Sequence, residues 1–392
     1  MRFPLVLAAV VLTFFCWGAY GPVLHHGQAE LGIPMQPSSL RPFICVGMAY
    51  FLIAVVVPII ILRTKGENGH WTLSGLIWSL GAGAAGAIGA LGIILAFKFR
   101  GSPVYVMPLV FGCAPVANTF VTMAMARTFK EANAIFYLGV VIVALGAAGV
   151  MWFKPTAKNI EVINHSDGKL TIVYDDVAHA HKNEWGPLTL EELETKPEFE
   201  QPFKLWKRSQ PLTANQRLLV GLSIALTALC WGAYGPILHK GQMKMAGSRM
   251  RPFLCVGLAY FAIAVVVPLM LMPGFPEPGG WNFSGTLWSL AGGAVGAVGA
   301  LGIIMAFNFG GKPIFVMPLV FGCAPVVNTI ITVSEEGTAL LLSRWFYGSL
   351  GLVICGAVTV LIFAPKAPHK PAGEPKPTPD KEEDRKQPLP TH

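Results

Sequence analysis

The sequence predicts an all-α polytopic membrane protein, with about ten transmembrane helices arranged as two inverted five-helix repeats. Three observations carry that prediction. The 392 residues are 53% hydrophobic and only 13% charged, against about 25% charged in an ordinary soluble chain. The chain also contains its own copy. CWGAYGP at 16–22 returns at 230–236, VMPLVFGCAPV at 106–116 returns unchanged at 316–326, and the Arg41-Pro42-Phe43 block returns at Arg251-Pro252-Phe253. Finally, apolar runs of about 20 residues, enough to cross a hydrocarbon core of about 30 Å, fall five to each half.

The first run is 3–24. Arg2 ahead of it resembles the start of a secretory signal peptide, but its repeat partner at 218–238 lies mid-chain, so it is read as a retained helix. The second pair is 42–62 and 252–272. The third, 71–97 and 281–307, is glycine-rich, with Gly83, Gly86, Gly89 and Gly92 matching Gly293, Gly296, Gly299 and Gly302. Steps of three drift by about 60° on a helix, which suggests close helix packing or, failing that, room for a solute. The fourth pair, 103–125 and 313–333, carries Pro108 and Pro115 and their copies Pro318 and Pro325. These are expected to break the helices and free carbonyls that only protein or a wet cavity can take up. The fifth pair is 132–153 and 345–364.

This divides the chain into a first membrane repeat at 1–153, a polar connector at 154–217, a second repeat at 218–364 and a tail at 365–392 rich in proline and charge. The tail is expected to be disordered. The connector holds a strand-like 169–174 after a turn-prone 164–168, then an acidic 191–200. A small, partly ordered linker is expected there, not a catalytic domain. The seven cysteines all sit in apolar runs, six of them as repeat pairs (16/230, 45/255, 113/323). Such cysteines pack as small hydrophobes. Neither a disulfide framework nor a metal site is expected, because no CxxC or HxxxH spacing occurs.

An odd number of helices per repeat makes the halves run oppositely, which loop charge can test. After the first helix, Arg41 stands against Lys240, Lys244, Arg249 and Arg251. After the second, Arg63 and Lys65 stand against none. After the fourth, Arg127 and Lys130 stand against Arg344 with Glu335 and Glu336. The third pair, Lys98 and Arg100 against Lys312, runs the other way. Three of four pairs favour inverted repeats with both termini in the cytoplasm. The net charge of +8 comes mainly from loops and tail and does not point to nucleic acid.

Matching Gly/Pro interruptions in two halves mark the site in many carriers. Asn118 and Asn328 stand three residues past the second proline of each fourth helix. As amides they can donate and accept toward a polar uncharged solute, or bind a freed carbonyl or a neighbouring helix. Trp17 with Tyr20, and Trp231 with Tyr234, share a helix face and form an aromatic gate or else an interfacial belt. Gly21-Pro22 and Gly235-Pro236 are expected to bend the ends of those helices. His25, His26 and His239 follow the bends, where they would couple protons or simply be solvated. No Asp, Glu, Lys or Arg lies near the middle of any run. This disfavours direct Mg²⁺ chelation, a phosphorylated substrate, and a lipid-modifying enzyme, which needs clustered ionisable groups.

Several of these features together resemble a known family. Trp17-Gly18 and Trp231-Gly232, Ala114-Pro115 and Ala324-Pro325, and Gly139 with Gly146 are similar to motifs of the drug/metabolite transporter superfamily, in its ten-helix EamA-like and sugar-uptake branches. The resemblance covers both membrane halves. Glu131 matches the glutamate such repeats often carry before the fifth helix, whereas Glu335 and Glu336 lie further from theirs. A connector of about sixty residues (154–217) is longer than is usual in the family.

The resemblance implies a non-enzymatic secondary transporter working by alternating access at the repeat interface. The expected substrate is a small neutral or zwitterionic metabolite, sugar-like or amino-acid-like. The alternatives are an exporter of lipophilic amphiphiles or a non-transporting receptor or scaffold. The expected setting is the cytoplasmic membrane of a bacterium. The bilayer and the small-molecule substrate are the partners, a homodimer is open, and no cofactor or nucleic acid is expected.

Overall fold

The computed structural model describes residues 3–33, 36–153, 160–176, 181–196, 199, 212–309, 313–336 and 343–364; the tail at 365–392 lies outside them. The first half consists of α1 (Phe3–Leu31), α2 (Leu40–Thr64), α3 (Leu73–Lys98), α4 (Pro103–Ala126) and α5 (Ala134–Trp152). In the connector, strands β1 (Ile160–Asn164), β2 (Leu170–Asp176) and β3 (His181–Leu188) precede the short helix α6 (Leu190–Thr195). The second half is α7 (Ala214–Lys244), α8 (Met250–Leu271), α9 (Phe283–Asn308), α10 (Pro313–Glu336) and α11 (Arg344–Phe363). Among the described residues nine helices are long and apolar enough to span a bilayer, and α10 adds a shorter apolar stretch, Leu319–Ser334. The protein is an all-α polytopic membrane protein.

Polar residues at the loop edges set where the helices begin. Thr72, Ser102, Asn133 and Ser343 each accept a backbone N–H of the first turn, and Thr213 with Gln216 forms a reciprocal cap on α7. Such caps stabilise by about 1 kcal/mol each. Pro103 at the start of α4 loses nothing, because its missing N–H would have had no partner. The last turn of α4 closes on Arg127, whose φ of 58° is left-handed.

Two expectations about helix breaks are corrected. Both α4 and α10 stay helical through Pro108, Pro115, Pro318 and Pro325. A proline removes one ladder bond, and α4 tolerates this because nearly every residue from Val104 to Gly112 is buried by its neighbours. Likewise α1 and α7 stay helical through Gly21-Pro22 and Gly235-Pro236. With 29 and 31 residues, at 1.5 Å per residue they measure about 44 and 47 Å along the chain and overshoot the hydrocarbon core. His25, His26 and His239 therefore stand on helix, not past a helix end. The irregular turns fall elsewhere. Leu52–Val56 in α2 and Ala262–Val266 in α8 form π-turns just before Pro58 and Pro268. A π-turn absorbs the clash of a proline ring with the preceding turn.

Packing exchanges the halves. α1 lies along α9 while its copy α7 lies along α3; α2 meets α8, α4 meets α10, and α5 meets α11. Gly47 adjoins Val265 and Ala264 of α8, and Gly257 adjoins Val55 and Ala54 of α2, so these two copies cross antiparallel. The glycines of α3 and α9 permit the close approach. A Cβ at Gly89 would collide with the Trp231 indole, and one at Gly299 with the Trp17 indole. Of the two readings of these glycines, this is the packing one.

The connector is more ordered than the sequence suggested. Its strands form an antiparallel sheet in the order β1-β2-β3, turning at Gly168 with φ 79°. Ile172 and Leu193 are buried in a small core of their own, flanked by Trp185 and Phe199. The acidic stretch begins with a capping box, in which Thr189 and Glu192 cap α6 reciprocally.

Candidate functional site

A cavity of about 70 Å³ lies on the seam between the halves. α1 supplies Trp17 and Tyr20, and α7 supplies their copies Trp231 and Tyr234. α2 and α8 add Tyr50 and Tyr260, α4 and α10 add Phe111 and Phe321, and Gly86, Gly296 and Ala300 close the wall. Every aromatic residue in the lining is matched by its repeat counterpart.

The rings interlock. Tyr50 and Tyr260 stack with centroids 3.8 Å apart and planes within 1°, where α2 crosses α8. Tyr20 meets Trp231 edge-on at 5.9 Å. Phe111 and Phe321 stand 6.4 Å apart, with Trp17 6.3 Å from Phe321 and Trp231 6.4 Å from Phe111. Tilted and edge contacts of this kind add about 0.5–1.5 kcal/mol each beyond burial. Each indole is aimed by one hydrogen bond: Trp17 Nε1 donates to the Gly296 carbonyl and Trp231 Nε1 to the Gly86 carbonyl, both at 3.2 Å. One turn away, Thr13 and Thr227 donate to the carbonyls of Gly299 and Gly89. The buried Tyr20 hydroxyl has no hydrogen-bond partner among the described residues.

Trp17, Tyr20, Trp231 and Tyr234 are thus brought together at the cavity, where the sequence had offered each Trp–Tyr pair separately as a gate or a belt. Asn118 and Asn328 are not in its wall. Asn328 is fully buried and donates Nδ2 to the Pro103 carbonyl at 2.9 Å, which is the carbonyl-binding alternative. Asn118 is half-buried beside Gly235. Pro108, Pro115 and Pro325 do not line the cavity either; the side chain of Pro318 lies outside the described residues. The histidines stand a turn or more beyond it. His25 packs edge-on against Phe97 at 5.0 Å, His26 lies 3.6 Å from Glu30 and against Trp288, and His239 is exposed.

Sequence reasoning missed Tyr50, Tyr260, Phe111 and Phe321. The signal for Phe111 and Phe321 was present, since both lie inside the unchanged eleven-residue block. Tyr50 and Tyr260 sit two residues before the π-turns that precede Pro58 and Pro268. Two loop carboxylates were missed as well. Glu277, after α8, accepts from the Ser38 hydroxyl at 2.7 Å and from the backbone N–H groups of Ser39 and Leu40 at 2.8 Å, capping α2. Its counterpart Glu67, after α2, takes the Ser248 hydroxyl at 2.6 Å and the Arg249 N–H at 2.9 Å, capping α8. Each half therefore holds the start of the other's second helix with a carboxylate.

No protein-family model matches this chain, and neither does any curated protein sequence.

Proposed function

We propose that the chain is a secondary-type transporter that moves a small organic metabolite by alternating access, with the aromatic chamber as its site. The observation that carries this is the chamber's position. It lies between two sequence repeats, is lined by matched residues from both, and sits where repeat-built carriers place substrate. The antiparallel crossing of α2 and α8 supports inverted repeats, and the motifs at Trp17, Trp231, Pro115 and Pro325 support a place in the drug/metabolite transporter superfamily. Loop charge supports both termini on the cytoplasmic side, and a bacterial cytoplasmic membrane is the proposed setting. The histidines are not among the described residues that line the chamber.

Proteoliposomes containing the full chain test this reading. Among labelled sugars, amino acids and organic cations, at least one should exchange across the membrane. A Trp17→Leu/Trp231→Leu double variant should lose that exchange. If folded protein exchanges no member of the panel, the transport reading fails. The folded sheet of the connector keeps a receptor or scaffold reading in play. Deleting 158–208 separates the two, because a carrier keeps its exchange and a scaffold loses its cellular phenotype.

A further inference from the structure

Among the described residues the chamber wall consists of aromatic rings, two glycines and an alanine, with no charged side chain and no amide. That lining sorts ligands by chemistry. A carboxylate or phosphate would enter with no cation to meet it, and an unpaired buried anion is costly. A polyhydroxylated ring needs many partners and would find only tyrosine hydroxyls. A primary ammonium brings three N–H donors and would leave most of them unsatisfied.

A fully methylated ammonium has no N–H at all. Its charge is spread over methyl groups that pack as apolar groups do, while ring quadrupoles attract the cation, those of Trp most strongly. The two indole N–H groups, the positive edges of their rings, are tied up by the Gly296 and Gly86 carbonyls. The Tyr20 hydroxyl, buried and without a partner among the described residues, has an oxygen free to turn toward a positive ligand. Size agrees too. At roughly 10–15 Å³ per water-sized group, a volume of about 70 Å³ holds about five to seven such groups, a range that spans tetramethylammonium and choline.

We propose that the chamber binds a small quaternary ammonium group, held by Trp17 and Trp231 with Tyr20 and Tyr234. Its role as the head of a transported solute rests on the transport reading above; its binding does not.

The test titrates the indole fluorescence of the detergent-purified full chain with tetramethylammonium, choline and 3,3-dimethyl-1-butanol, the neutral carbon isostere of choline. Both cations should bind, and the isostere at least tenfold more weakly. This comparison needs no variant, so misfolding cannot blur it. Trp17→Leu or Trp231→Leu should weaken choline at least tenfold, and Trp→Phe at the same positions by less. Equal binding of choline and its isostere overturns the proposal, as does failure of both cations to bind. Choline flux in proteoliposomes separates the two ideas. Binding without flux of any solute sinks the transport reading and upholds the ammonium site. Flux of a sugar or amino acid without cation binding does the reverse.

Discussion

Beyond the chamber, α1 and α7 carry the same residues toward opposite ends of the membrane body. At the α1 end, Tyr20, Gly21, Pro22 and Leu24 are buried. Gln28, fully buried, donates to the carbonyls of Ser38 and Ile94 at 3.0 and 3.2 Å, and Asn328 ties down the Pro103 carbonyl nearby. At the α7 end, the matching Tyr234, Gly235, Pro236 and Gln242 are only half-buried, as is Asn118, although Leu238 stays buried like Leu24. A cleft of about 500 Å³ opens there, between Ile61 of α2 and Lys65 just after it, Arg249 and Met250, and Ile304 and Met305 of α9. Ile304 is four residues, about one helical turn, beyond Ala300 in the chamber wall. Equal sequence with unequal closure teaches that the packing state, not the motif, decides which end is sealed. On the transport reading this is one of two states, and in the other the locks at Gln28 and Asn328 would pass to Gln242 and Asn118.

The largest expected effect breaks the sealed end sterically. A Cβ at Gly21 would run into Met107 and sit 3.0 Å from Asn328 Oδ1, whereas at Gly235 it would meet only Asn118 Nδ2 at 3.0 Å. Gly21→Val should cost about 2–3 kcal/mol by overpacking and Gly235→Val less than about 1 kcal/mol. Thermal unfolding of the two purified variants measures the gap, and equal losses would remove the asymmetry. Next comes the buried amide. Asn328→Ala leaves the Pro103 carbonyl without its donor, at about 1–3 kcal/mol, while Asn118→Ala should cost less than half as much. A ligand that reverses the state should also reverse that order. The smallest effect sharpens the comparison by locating where the ends are alike. Glu67→Gln and Glu277→Gln each weaken a carboxylate cap on a second helix and should each cost about 1 kcal/mol. A difference larger than that would mean the caps take part in closure.

Hydropathy and repetition made the long helices legible, from α1 to α11 apart from the short α6, nine of them long and apolar enough to span among the described residues. The helices α1 and α7 run on to Leu31 and Lys244, well past the expected ends at 24 and 238. Repetition also singled out Trp17, Tyr20, Trp231 and Tyr234, but did not show that the two pairs line one cavity. The same logic overweighted Asn118 and Asn328. A lone amide in an apolar run looks like a ligand group whether it faces a cavity or, as Asn328 does, a neighbouring carbonyl. The prolines misled for a related reason: burial on all sides holds α4 together where an isolated helix would break. Tyr50 and Tyr260 could not be read at all, because only the antiparallel crossing of α2 and α8 brings residues 210 positions apart into a stack.

The chain alone settles its class, the number and rough limits of its helices, and its division into two matched halves, because the cost of leaving lipid-exposed backbone unpaired admits few other solutions. Tertiary structure decides which face of each helix turns inward, where the rings converge and which end closes. In a bilayer an apolar side chain is about equally at home against lipid or protein, so hydropathy sets the span but not the face. Small residues, hydrogen bonds to backbone carbonyls and close packing make the choice, and they act only once both halves are present.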